Sequence, residues 1–398
     1  MDTQKSAVVA GHICLDIIPS LDNVAQGRFF ELFQPGLMLQ IGPPVFSTGG
    51  AVSNTGLALY ILGINTKLMG KVGDDMYGRA VLQILRKYHP QLADGMVVDP
   101  HGTTSYTIII SPPGIDRMFL HHPGSNSTFN LEDIRFEEIQ KAALFHFGYP
   151  PVMERIFSDD GKQLTQIFKR IKTEGVTTSL DLCLPDPASS GGQADWVKIL
   201  TNTLPYVDIF LPSIEELLFT IRRKSYLDLL QTAGSRFLEL ITPELLHEIS
   251  QDVMDMGVKI VLLKLGERGA YLRTSNQASM VSLGRAAPDD TSRWINQELW
   301  SPCFKVNVIG TTGSGDATIA GFLAALLRNM SPIDALSAAV AVGACDVEAA
   351  DAISGLRSWE STQARIKSGW ERQTLKLNSS GWNWDIANQV WIGPGASY

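Results

Sequence analysis

Cysteine is scarce in this chain. Its four residues, Cys14, Cys183, Cys303 and Cys345, are scattered, with no CxxC pair. That spacing argues against a disulfide framework and predicts a reduced, cytoplasmic setting. Histidine is also sparse, and the seven residues show no metal-ligand spacing. Positive charge is short: 33 Lys and Arg stand against 41 Asp and Glu, a formal net charge of -8. An acidic balance of this kind argues against nonspecific nucleic-acid binding. Long apolar runs are missing too. The longest, around 317–327 and 335–344, are interrupted by Arg328, Asn329, Pro332 and Asp334, so neither spans a membrane. The opening residues MDTQKSAVVAGHICLDII lack the apolar core and small-residue cleavage pattern of a signal peptide. Short-period repeats and low-complexity tracts are absent.

Two phosphate-binding motifs are missing as well. A P-loop needs Gly-Lys-Ser/Thr after its glycines, whereas Gly315 is followed by Asp316. A dinucleotide fingerprint starting at Gly313 needs a glycine where Thr318 stands, which argues against an unrelated Rossmann dehydrogenase.

What is present is a globular composition, 44% hydrophobic and 19% charged. It suits one large α/β domain with an accessory part, or two domains. The stretch 305–327 reads KVNVIGTTGSGDATIAGFLAALL. Alternation over 304–308 predicts a strand, a Gly/Thr turn follows, and an Ala/Leu-rich run predicts a buried helix. Gly313, Ser314 and Gly315 at the helix start leave backbone N–H groups uncovered, a site for an oxyanion helped by the helix dipole. Asp316 at the same mouth is either an ordinary cap or a base that takes a proton from whatever attacks a bound phosphate.

This stretch resembles the C-terminal signature of the ribokinase (PfkB-type) family of sugar and nucleoside kinases, Asp-Thr-Thr-Gly-Ala-Gly-Asp-Ala. Thr311, Thr312, Gly313, Gly315, Asp316 and Ala317 match; Ser314 replaces Ala and Gly310 replaces the first Asp. Further motifs follow in order. Gly11 and Asp16 fit the opening Gly-x-x-x-x-Asp, with His12 where Glu is common. Gly49, Gly50, Asn54, Leu62 and Gly63 fit the N-terminal signature, and 70–78 fits Gly-x-Val-Gly-x-Asp-x-x-Gly, with Asp74 and Asp75 as turn and capping residues. Ser213 and Glu216 stand where the family has Asn-x-x-Glu, and they also spell a helix capping box. Lys264, Gly266 and Gly269 resemble its Thr-x-Gly-x-x-Gly segment.

The resemblance covers about 7–356. It implies a doubly wound, mostly parallel α/β sheet flanked by helices, with a small β-sheet lid from about 14–46 and 102–123. The whole chain, 1–398, then forms a single domain, and 374–398 is an extension without a family counterpart. It implies an ATP-dependent kinase acting on a hydroxymethyl group. Asp316 is then the base, and the backbone of Gly313, Ser314 and Gly315 the anion hole. Asp16, Gly49, Gly50 and Asn54 hold the acceptor. Lys264, Gly266, Gly269 and Thr311 lie on the nucleotide side. Glu216 helps to place hydrated Mg²⁺. The family's cation loop corresponds to 348–355; with Gly310 in place of Asp, one contributor to its K⁺ site is gone. Ribose, fructose, a sugar acid, a nucleoside and a phosphosugar all remain open as acceptors. Lid-to-lid homodimers and monomers both occur among relatives. A non-catalytic sugar or nucleotide sensor is the alternative, motivated by Gly310 and Ser213 and opposed by the retained Asp316.

Elsewhere, 103–110 and 117–122 predict a hairpin around a Ser-Pro-Pro-Gly turn, with Arg117 as a solvated edge residue. The 144–148 and 177–181 stretches predict core strands. The 222–257 stretch predicts extra helix anchored by Leu227, Leu229, Leu230, Phe237, Leu238 and Leu240. The 284–302 stretch predicts an insertion.

Overall fold

The computed structural model describes residues 5–21, 31, 34–112 and 117–395. The strands begin with β1 (Ala7–Gly11), β2 (Cys14–Ile18), β3 (Val45–Gly49), β4 (Thr66–Met69), β5 (Lys71–Gly73) and β6 (Val97–Asp99). They continue with β7 (Tyr106–Ile110), β8 (Met118–His122), β9 (Leu144–Gly148), β10 (Thr177–Leu180) and β11 (Ile209–Phe210). The last are β12 (Ile260–Lys264), β13 (Ala270–Thr274), β14 (Glu298–Ser301), β15 (Asn383–Asp385) and β16 (Val390–Ile392).

Ten strands form one sheet in the order β15-β16-β14-β13-β12-β11-β10-β9-β1-β4. The pairs from β4 through β12 are parallel and the remainder antiparallel. Continuous apolar strands follow from burial on both faces. In β1, Ala7 and Val9 enter one core while Val8 and Ala10 enter the other. Ile260 and Leu262 divide from Val261 and Leu263 in the same way. The helix Ser314–Leu327 is apolar on nearly all sides, so it is buried rather than amphipathic. It packs against Pro332–Asp346 and Ala51–Ile61. Gly321 permits that contact, since a Cβ there would stand 2.8 Å from the Ala338 carbonyl oxygen.

A separate four-stranded sheet, β3-β2-β7-β8, is fed by the end of β1 and by the 103–122 hairpin. The turn residues Pro113, Gly114, Ile115 and Asp116 lie outside the described residues, as do positions 22–30, 32 and 33 of the expected 14–46 lid segment. Positions 34–44 of that segment add no strand.

Two local expectations are corrected. The 304–308 run is not a strand: Phe304 makes an isolated bridge to Arg372, and Val308 is 59% exposed. Pro302 directly after β14 supplies no N–H for a ladder, and the chain leaves the sheet there. In the extra helical region, Arg223–Ala233 and Pro243–Asp255, Phe237 is buried as expected with Leu229, Leu230 and Leu238 packed beside it, but Leu227 and Leu240 are exposed and Tyr226 is an added anchor, edge to face with Phe237 at 6.1 Å. The C-terminal extension supplies β15 and β16, and Trp382 packs on Trp300 and Tyr271. Among the described residues no helix is long and apolar enough to cross a membrane.

Candidate active site

Asp316 lies in the first turn of the Ser314–Leu327 helix. The residue before that helix is Gly313 at φ 80, and no side chain caps it. Only glycine fits there: the conformation is left-handed, and a Cβ would stand 2.4 Å from that of Ala352. The first-turn N–H groups therefore meet no cap, and the dipole favours an anion in front of them.

The Asp316 carboxylate is only 3% exposed and is held by three donors. Thr55 Oγ1 donates to Oδ1 at 2.8 Å. Asn54 Nδ2 and the Tyr149 hydroxyl donate to Oδ2 at 3.1 and 2.6 Å. Burial, then the Asp316 charge, pushes the Tyr149 phenol well above its usual range, so it stays a donor. Tyr149 sits just past β9 at φ 65, a left-handed conformation for a bulky residue. Sequence reasoning missed Tyr149 and Thr55. Their signals were weak: a tyrosine at the carboxyl end of a core strand, and a hydroxyl beside Asn54.

Two clefts meet at this helix mouth. One, of about 710 Å³, is lined by Asp16, Gly50, Asn54, Tyr149 and Thr311, among others. The other, of about 1100 Å³, is lined by Glu216, Lys264, Gly266, Gly269, Ser314, Gly315 and Asp316, among others. Tyr149, Thr311 and Gly313 border both.

In the first cleft, burial pushes Asp16 up to about 6, opposed by hydrogen bonds from Cys14 and Thr107. Gly49 lets Asp16 lie against the backbone of β3, where a Cβ would stand 2.3 Å from its carboxylate. Arg117 is not a solvated edge residue. Its guanidinium reaches the hydroxyls of Thr311 and Thr312, tying the small sheet to the Gly/Thr turn.

In the second cleft, Lys264 is an interior cation rather than a surface charge. Its ammonium lies 2.7 Å from Asp181 Oδ1 and 3.8 Å from Glu216 Oε2. Burial works against this charge, but Asp181 and Glu216 outweigh it and hold the Lys264 pKa above its ordinary value. The same side chain runs beneath Gly315, within 3.5 Å of where a Cβ would be. Ser213 and Glu216 form the expected capping box, with Ser213 N–H donating to Glu216 Oε2 at 2.7 Å.

Asp346 was not anticipated. It ends the Pro332–Asp346 helix, 1% exposed, with both carboxylate oxygens buried and unpartnered. Burial, then Asp316 and Asp351, pushes it from its ordinary 3.8 to about 8. Between those values the unfolded chain is ionised at this position while the folded chain keeps the proton. Its contribution to stability therefore falls as pH rises through that window. Relative to wild type, the melting temperature of Asp346→Asn should rise progressively from pH 4 to pH 8. A pH-independent difference between the two proteins would contradict this assignment.

The sequence profile described as pfkB family carbohydrate kinase matches residues 4–359. The chain belongs to that family. This pfkB-family kinase is 25% identical over 378 residues to "Probable fructokinase-6, chloroplastic" of Arabidopsis thaliana, covering 92% of this chain and 83% of that protein. It is 25% identical over 350 residues to the 2-dehydro-3-deoxygluconokinase of Bacillus subtilis (strain 168), covering 85% and 94%. The Xylella fastidiosa fructokinase structure with bound ATP superposes with a TM-score of 0.67 at 18% identity, covering 92% and 99%. Arabidopsis thaliana ribokinase, complexed with ribose and ATP, gives 0.65 at 18%, with the same coverage. The last two likenesses show the fold, a ribokinase-like α/β sheet with a separate small sheet. In this kinase the antiparallel edge formed by β15 and β16 lies beyond the profile match.

Proposed function

We propose that this carbohydrate kinase transfers the γ-phosphate of ATP to a hydroxymethyl group of a sugar or related small molecule. One observation carries the reading: Asp316 lines the second cleft at a helix mouth whose backbone N–H groups meet no side-chain cap, and it is held by Tyr149, which borders both clefts. The acceptor occupies the cleft of Asp16, Gly49, Gly50 and Asn54. The nucleotide occupies the cleft of Lys264, Gly266, Gly269 and Thr311. Asp316 accepts the proton of the attacking hydroxyl, while Asn54, Thr55 and Tyr149 fix its carboxylate. Backbone N–H groups of the Gly313, Ser314 and Gly315 turn donate to the phosphoryl oxygens as charge develops. The small sheet closes over the acceptor as a lid and excludes water.

The donor set bears on Mg²⁺ directly. Among the described residues no group of three or more His, Cys, Asp or Glu side chains gathers to hold a metal. The Glu216 carboxylate and the unpartnered Asp181 Oδ2 suit a hydrated ion delivered with the nucleotide, not a protein-only cage. Such an ion would neutralise phosphate charge, with Glu216 orienting one of its waters.

ADP release with Mg·ATP, measured over sugars, sugar acids, phosphosugars and nucleosides with and without K⁺, tests the reading. Acceptor-dependent release is expected. Ligand-induced stabilisation without release from any acceptor would refute phosphoryl transfer to these classes.

A further inference from the structure

His12 is a polar side chain of the acceptor cleft that the proposed reaction leaves unused. It follows β1, is 3% exposed, and lines the cleft. Both ring nitrogens are buried without a hydrogen-bond partner. An imidazole in that state forgoes one donor and one acceptor interaction, a cost that buried polar groups seldom carry unless a ligand or water repays it. Burial, then the neighbouring His121, holds the His12 pKa well below its usual value, so the ring is neutral. His121, on β8, packs over it with ring centroids 5.1 Å apart, and burial brings His121 itself down to about 4. On its other side the His12 ring is 6.1 Å from that of Tyr149, whose hydroxyl holds Asp316. His12 thus sits between a strand of the small sheet and the group that fixes the candidate base.

The charges around the cleft are equally informative. Among its described lining residues, Arg117 is the cation, while Asp16, Glu154 and Asp186 are carboxylates. The guanidinium already engages Thr311 and Thr312. The three carboxylates outnumber that cation, so an acceptor carrying a carboxylate or a phosphate would meet net repulsion from this lining.

We propose that His12 is an acceptor-binding, specificity-determining residue that selects a neutral polyol. One ring nitrogen donates to a hydroxyl of the acceptor and the other accepts from a hydroxyl, while the acidic lining rejects sugar acids and phosphosugars. The inference rests on the assignment of this cleft to the acceptor.

The test uses the full chain as wild type, His12→Phe and His12→Gln. Acceptor KM, ATP KM, kcat and acceptor-induced thermal stabilisation without nucleotide are measured for neutral sugars, nucleosides, sugar acids and phosphosugars. Wild type should prefer neutral acceptors. His12→Phe should raise the acceptor KM at least ~10-fold, the scale of leaving hydroxyls of the acceptor unpaired. Its ATP KM should be unchanged, and His12→Gln, which keeps a donor and an acceptor, should restore part of the loss. An unchanged acceptor KM in His12→Phe, or a wild-type preference for a sugar acid or phosphosugar, overturns the proposal. Neutral-polyol stabilisation that depends on His12, without ADP release, keeps the inference and removes the kinase chemistry. If His12→Phe does not fold, the charge preference of wild type and the KM of His12→Gln decide.

Discussion

Asp316→Asn should lower turnover by about 10²–10⁴-fold, the usual contribution of a positioned general base. The substitution keeps the shape of the side chain and removes its capacity to take a proton. The amide oxygen can still accept from Tyr149 and Asn54, and the amide nitrogen can donate to the Thr55 hydroxyl, so the network survives. Melting temperature and the thermal shifts produced by acceptor and nucleotide should therefore stay near wild type while ADP release collapses. Near-normal turnover would remove Asp316 as the base. Loss of both ligand shifts together with turnover would instead assign it a structural role.

The second large effect is on stability. Lys264→Met should destabilise the fold by about 3–5 kcal/mol, because it leaves a buried carboxylate without its cation. Asp181 is 1% exposed, and its Oδ1 has Lys264 as its hydrogen-bond partner. The double substitution Lys264→Met with Asp181→Leu removes both charges and should recover most of the loss. Urea unfolding of the two single variants and the double variant measures the coupling. A Lys264→Met midpoint equal to wild type would show that this pair does not hold the interior together.

Several features were readable because their causes are local. The AVVAG run predicts β1, since a strand covered on both faces has no polar side to show. Ser213 and Glu216 announce their helix start, because a capping box closes within four residues. The Gly313 turn and the apolar helix behind it are also local chemistry. The 304–308 run misled for the opposite reason. Its alternation is that of a strand, but no sheet edge accepts it after Pro302. A period of two states what a segment can do, not whether a partner stands beside it.

The candidate site divides along the same line. The family resemblance implied that Asp16, Gly49, Gly50, Asn54 and Asp316 share one site, and the family match over 4–359 agrees with the kinase assignment. Residue types alone did not reveal that Asn54 and Tyr149, 262 and 167 positions away in sequence, share one carboxylate oxygen of Asp316. Nor did they reveal that Lys264 spends its charge on Asp181, 83 positions away. The sequence by itself determined local features such as β1, the Ser213–Glu216 cap and the glycine turn, because those depend on neighbours along the chain. Only the tertiary structure decided which charges are neutralised, which imidazole is left without partners and where the two clefts meet. Those outcomes depend on burial and on contacts between segments that the parallel sheet brings together.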